Sequence, residues 1–256
     1  MATRSSINVL TACIAVLSLQ VLTSGPVTAD EIHVYEGESI QAAIDTASDG
    51  DEIIVHPGTY NENIDFRGKA FWLHSSDGPE VTIIDAGGGM GVSCSDDAGP
   101  HTVFDGFTVT GGNVWLNGGG MWIWGSSPTV MNCTFIANVA SHDGGGMFIT
   151  NGSPTVMNCK FIANNAAIAG GGMFIENGSP TVTDCLFLEN TTLEGAGGGM
   201  SNRFDGTGDY SVTVTNCTFT ANTAGGGGGI RNACWGNKGS SVTVTNCTFT
   251  ANTAGG

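Results

Sequence analysis

From about residue 113 onward, apolar and polar residues alternate in bursts of three or four, separated by Gly, Asn and Pro. The segment Gly145 to Ala169 shows the unit. Met147-Phe148-Ile149-Thr150 alternates as a short strand, and Asn151-Gly152-Ser153-Pro154 has turn chemistry. Thr155-Val156-Met157 predicts a second strand. Asn158 predicts a sharp corner, because Asn tolerates the left-handed conformation. Cys159-Lys160-Phe161-Ile162 predicts a third strand, and the chain from Asn164 onward predicts a loop that closes on three glycines. The unit recurs. Gly-Gly-Gly-Met/Ile ends at Met121, Met147, Met173, Met200 and Ile230, at spacings of 26, 26, 27 and 30. Asn/Asp-Cys recurs at Cys133, Cys159, Cys185, Cys217 and Cys247, and Phe-x-x-Asn at Phe135, Phe161, Phe187, Phe219 and Phe249. A fixed period of this size means stacked supersecondary units. Three short strands and three corners per unit predict an all-β fold, a single-stranded right-handed parallel β-helix whose strands pair about 4.8 Å above and below.

The same pattern sorts inside from outside. Met147, Ile149, Val156, Cys159 and Phe161 are expected to point inward and to stack on their equivalents. Asn132, Asn158, Asn216 and Asn246 are expected to form a corner ladder with amides bonded along the stack. Upstream, Ser39 is a plausible N-cap for a short helix over Ile40 to Ala47, with Ile40, Ala43, Ile44 and Ala47 on one face. Such a helix would cover the open first rung. Irregular strands are expected at Glu52–Val55, Ala70–Leu73, Val81–Ile84 and Val103–Val109. The predicted organisation is therefore 1–29 leader, 30–112 cap and irregular rungs, and 113–256 regular rungs.

The leader reading rests on Arg4, the mostly apolar run Ile7 to Leu22, and the small residues Val27-Thr28-Ala29. Together they suggest a signal peptide cleaved before Asp30, and hence a secreted or cell-surface product. A membrane anchor is the alternative, although the run is shorter than a spanning helix. Leu10-Thr11-Ala12-Cys13 also fits a lipobox, but the apolar run continues past Cys13.

Composition sharpens the picture at two points. The 41 glycines argue against a helical bundle, and a net charge of −16 with 7 Lys+Arg argues against a nucleic-acid surface. The repeated cysteines admit a disulfide framework or a ladder of buried thiols. Parallel side chains at strand spacing favour thiols.

The segments Ser39-Ile40-Gln41-Ala42-Ala43-Ile44 and Gly50-Asp51-Glu52-Ile53-Ile54-Val55-His56-Pro57-Gly58-Thr59-Tyr60 resemble the opening of pectin-lyase-like β-helix proteins. The Gly-Gly-Gly-Met and Phe-x-x-Asn repeats are similar to those of chlamydial polymorphic outer-membrane proteins. The resemblance covers the chain beyond the leader. It departs from the chlamydial proteins because no membrane β-barrel follows the repeats. It departs from pectate lyases in lacking their Trp-x-Asp-His block, paired-Arg motif and clustered aspartates.

The pectin-lyase-like resemblance implies a groove along the outer face of the strand after each Gly triplet. The outward positions there are Trp122 and Trp124, Phe148 and Thr150, Phe174 and Glu176, Ser201 and Arg203, then Arg231. Trp122, Trp124, Phe148 and Phe174 are candidate stacking residues for a saccharide, and Glu176, Arg203 and Arg231 candidate catalytic residues. A covered aromatic ladder with a Glu176–Arg203 ion pair is the bland alternative. Asp205 and Asp209 could give two oxygens to Ca2+, or could simply form a solvated turn. No cofactor is required, and Ca2+ is the one admitted. His142-Asp143 is expected to be a solvated turn. Asn-x-Ser/Thr at Asn132, Asn151, Asn177, Asn190, Asn216 and Asn246 belongs first to the repeat.

Ser211–Gly226 and Ser241–Gly256 are identical and the sequence stops inside a rung, which suggests a truncated fragment of a longer repeat protein, with end-on self-association as the alternative. Two functions stay open. One is a glycan-binding or adhesin-like surface without enzymatic activity. The other is a polysaccharide lyase or glycoside hydrolase acting on acidic polysaccharide.

Overall fold

The structure, a computed structural model, describes residues 29–95, 98–193, 195–235 and 239–255. The predicted leader lies almost wholly outside the described residues. The rest winds as a coil whose strands all pair in parallel with equivalents one turn away. Each regular turn has four walls, named here in chain order from the Gly triplet. Wall 1 carries Met121–Trp124, Met147–Thr150, Met173–Glu176, Met200–Phe204 and Ile230–Cys234. Wall 2 begins with Glu31–Val34, Glu52–Val55 and Trp72–Ser75 and ends at Ser241–Thr245. Wall 3 contains Thr134–Ile136, Lys160–Ile162 and Leu186–Leu188. Wall 4 is made of two-residue strands such as Val139–Ala140 and Asn165–Ala166.

Wall 4 corrects the three-strand expectation. The segment after Phe-x-x-Asn is not a loop but a fourth ladder running from Asn113–Val114 to Thr253–Ala254. Two smaller corrections fall upstream. The expected Ala70–Leu73 strand is Trp72–Ser75, and Val103–Val109 is two strands broken at Gly106, where φ is +80°.

The interior follows the repeat. Met147, Ile149, Val156, Cys159 and Phe161 are fully buried or nearly so. Phe135, Phe161, Phe187, Phe219 and Phe249 stack in series at 4.6–5.1 Å between ring centroids. Register is exact between identical residues, Met121 on Met147 and Phe161 on Phe187, so each inward residue meets its own shape. Asn132, Asn158, Asn216 and Asn246 occupy the left-handed region at the corner as expected, and the Asn158 amide donates to Asn132 Oδ1 at 2.7 Å.

A second, buried amide ladder was not anticipated. The Asn of each Phe-x-x-Asn points inward. Asn164 Nδ2 donates to Phe135 O at 2.9 Å and Asn190 Oδ1 at 3.0 Å, while its own Oδ1 accepts from the Asn138 backbone N at 3.0 Å. These amides satisfy backbone groups at the corner between walls 3 and 4. The ladder cysteines Cys133, Cys159, Cys185, Cys217 and Cys247 are free thiols. Each ladder thiol donates to the carbonyl two residues before it, as Cys159 does to Met157 O at 3.2 Å. Burial pushes the Cys159 thiol well above its ordinary value.

At the start of the coil, the helix Ile40–Thr46 forms with Ser39 as N-cap, its Oγ accepting from Ala42 N at 3.1 Å. Ile40, Ala43 and Ile44 are buried and join the same continuous core as Val34 and Ile53.

Candidate functional site

Seven of the predicted site residues, Trp122, Trp124, Phe148, Phe174, Glu176, Arg203 and Arg231, gather on the outer face of wall 1. The strand register runs Trp122, Phe148, Phe174, Ser201, Arg231 along one row and Trp124, Thr150, Glu176, Arg203, Ala233 along the next. The alternation of a half-buried strand sets both rows outward.

The rows are not equally open. Phe148 and Phe174 are 3% and 1% exposed and stack on each other at 5.5 Å. With Ala169 they form a small apolar cluster against which Trp122 packs. The expectation that these two phenylalanines offer ring faces to a ligand is therefore corrected. They point out of the coil, but a second apolar layer built on the wall 4–wall 1 corner covers them. Trp124 is 53% exposed, with Trp122 half-buried beside it at 5.7 Å.

Beyond Phe174 the layer thins. The next residues in its row are Ser201 and Arg231. The corner position filled by Asp143 in one turn is Ala169, Ala196 and then Gly226 in the following turns. Small residues, Ser201 in the row and Ala196 and Gly226 at the corner, leave an open cleft of about 390 Å³ lined by Phe174, Arg203, Arg231 and Trp235 with Ala196 and Gly226. Trp235 lies in the insertion between walls 1 and 2 and is 57% exposed.

Charge inside this cleft is asymmetric. Arg203 places both Nε and Nη2 on Glu176 Oε1, at 3.0 and 2.6 Å, and its guanidinium carbon lies 4.8 Å from the Phe174 ring centre. Its Nη2 is also 3.7 Å from Asp143 Oδ2. Asp143 is buried rather than a solvated turn, which corrects the sequence expectation for His142-Asp143. Its Oδ1 has no partner among the described residues. Burial pushes the Asp143 carboxyl above its ordinary value; Arg203 draws it back and Glu176 pushes it further up. Arg231, by contrast, makes no ion pair among the described residues, so its guanidinium is free to meet a ligand. Sequence reasoning missed Asp143 and Trp235. The signal for Trp235 was its place in one of the two insertions that lengthen the repeat between walls 1 and 2.

Asp205 and Asp209 are committed elsewhere. Asp205 Oδ1 accepts from the Thr207 hydroxyl at 2.7 Å and Thr207 N at 2.8 Å, and Oδ2 accepts from Asn177 at 3.0 Å. Those bonds, the Thr207 hydroxyl foremost, hold the Asp205 carboxyl below the usual range. Asp209 Oδ1 accepts from Gly239 N at 2.8 Å. Asp205 caps its own turn and Asp209 ties the two neighbouring insertions together, and two carboxylates fall short of the six oxygens Ca2+ takes. No cluster of three or more His, Cys, Asp or Glu suited to a metal occurs among the described residues.

The parallel coil is matched over residues 59–208 by the family described as right handed beta helix region. The chain belongs to this right-handed β-helix family. No curated protein and no solved structure matches it. Membership settles the handedness of the coil and leaves activity to be argued from the cleft. Among the described residues, no helix is long and apolar enough to cross a membrane.

Proposed function

We propose that this β-helix is a non-enzymatic saccharide-binding protein, exported by its leader to the cell surface or medium, that lays an acidic polysaccharide along wall 1. One observation carries the reading: Arg231, without an ion pair among the described residues, shares an open cleft with the exposed Trp235. A sugar ring stacks on the indole face while a uronate carboxylate meets the guanidinium. Trp122 and Trp124 extend the aromatic surface up the same wall. Binding of this kind requires no cofactor.

The geometry argues against the lyase alternative at Arg203. A guanidinium that is to accept a proton must first lose one. The carboxylate of Glu176 at 2.6 Å stabilises its charged form instead. That contact suits Arg203 to holding charge in place.

The test is affinity electrophoresis through gels containing polygalacturonate, alginate or a neutral glucan. Retardation is expected in an acidic gel. Arg231→Ala and Trp235→Ala should each weaken it roughly tenfold or more, the loss of one charged hydrogen bond or stacked ring. Retardation unaffected by both changes removes the reading. Release of an unsaturated uronide chromophore, abolished by Arg203→Lys, would establish the lyase in its place.

A further inference from the structure

The first two turns bring two imidazoles together on the outer face of wall 2, far along the coil from the cleft. His33 points outward from Glu31–Val34, and His56 follows Glu52–Val55 one turn later. His33 Nδ1 and His56 Nε2 are 3.0 Å apart. We propose that this pair is a chelating site for a divalent transition ion of tetragonal preference, Cu(II) above all.

Distance is the first argument. Imidazole nitrogens bind such ions at about 2.0–2.1 Å. Two nitrogens at right angles on one ion are therefore about 3 Å apart, which is the separation here. Right-angled nitrogen and oxygen donors are what Cu(II) and Ni(II) select, and Cu(II) heads the divalent affinity order.

Orientation is the second. Tyr35 stacks on the His56 ring at 4.2 Å and 2°, fixing its plane. On the far side of that ring, Nδ1 lies 3.5 Å from Ser76 Oγ, whose hydroxyl donates to Asp77 Oδ2 at 2.6 Å. A hydroxyl that donates to the carboxylate has its oxygen left to accept from Nδ1–H. In the tautomer with the proton on Nδ1, the Nε2 lone pair faces His33. Ligating histidines are oriented in the same way, with the non-ligating nitrogen held by a polar chain. His33 is exposed, so an ion enters from solvent and water completes its shell. No third His, Cys, Asp or Glu converges with the pair among the described residues, so the expected strength is that of a two-imidazole chelate and not of a closed structural site. Glu31, Glu36 and Glu38 crowd the same turn and favour a cation there. His74 is occupied separately, with Nε2 2.8 Å from Glu52 Oε1 and its ring on Trp72.

The experiment titrates Cu(II) into untagged full-length protein carrying Cys234→Ser, which removes the thiol that is exposed among the described residues and would reduce Cu(II). Calorimetry gives stoichiometry and affinity, and electron paramagnetic resonance counts the nitrogen ligands. One ion held by two imidazole nitrogens is expected. His33→Ala and His56→Ala should each weaken binding at least about tenfold, the scale on which even outer-shell partners of a site act. His33→Gln, which keeps a hydrogen-bonding side chain at that position, should weaken it equally, and His74→Ala should leave it unchanged. Circular dichroism verifies folding of each variant. Unaltered affinity in His33→Ala, or a spectrum without two imidazole nitrogens, overturns the proposal and leaves a simple N–H···N hydrogen bond.

Discussion

Asp143 is the side chain least at ease in this coil. It is buried with one carboxylate oxygen lacking a partner among the described residues, and Arg203, the cation beside it, is already held more closely by Glu176. Its carboxyl is raised above the ordinary 3.8 by burial foremost. A raised acid contributes stability that is fully present below the unfolded pKa and lost as pH rises through the folded one, because the folded chain must then hold the charge. Asp143→Asn keeps the shape and removes the charge. Urea denaturation at pH 7 is expected to show the variant more stable than the parent. Near pH 3, where both states are protonated, the difference should shrink toward zero. A less stable variant at pH 7 would mean that attraction to Arg203 outweighs burial.

At the scale of the element, two corners carry opposite backbone demands. The third glycine of each triplet passes over the buried ladders. A Cβ on Gly146 would lie 2.5 Å from Gly172 O and 3.0 Å from both Asn164 Nδ2 and Phe161 Cδ1. Ala163, exposed at the corner between walls 3 and 4, holds φ at +51° although it is not glycine. Gly146→Ala is expected to cost about 2 kcal/mol or more, as overpacking against backbone does. Ala163→Gly is expected to add up to about 1 kcal/mol by relieving the left-handed penalty. Chemical denaturation checks both, and equal effects of the same sign would refute the corner assignments. The elements also divide what the sequence made legible from what it did not. Met147, Val156, Cys159 and Phe161 could be placed inward because period-two alternation and the 26-residue repeat agree on them. Wall 4 escaped because two residues such as Val139–Ala140 are too short to alternate. Phe148 and Phe174 were placed on the correct face, but the pattern left an open stacking surface and a covered ladder both standing, and the structure shows the covered one. Alternation says which side of a strand a residue takes, and it is silent on what a later corner, here Ala169, lays over it.

For the whole molecule, the consequence of stacking is that stability is local. Each turn touches only its neighbours, so the coil behaves as a row of coupled units. The buried amide ladder is the clearest coupling between them. Asn164 takes bonds from the turn before it and gives to the turn on each side, reaching Asn138 and Phe135 in one direction and Asn190 in the other. Asn164→Ala leaves Phe135 O and the Asn138 N–H buried without these partners, at roughly 1–3 kcal/mol for each group. If the row picture holds, that loss is felt by distance along the axis. Hydrogen exchange should accelerate most in Thr134–Ile136, Lys160–Ile162 and Leu186–Leu188. It should be unchanged in Glu31–Val34, several turns away under the helix cap. A uniform acceleration from Glu31 to Thr250 would mean that the coil opens as one unit. The energy of each amide would then be shared by every turn, which nearest-neighbour packing does not allow.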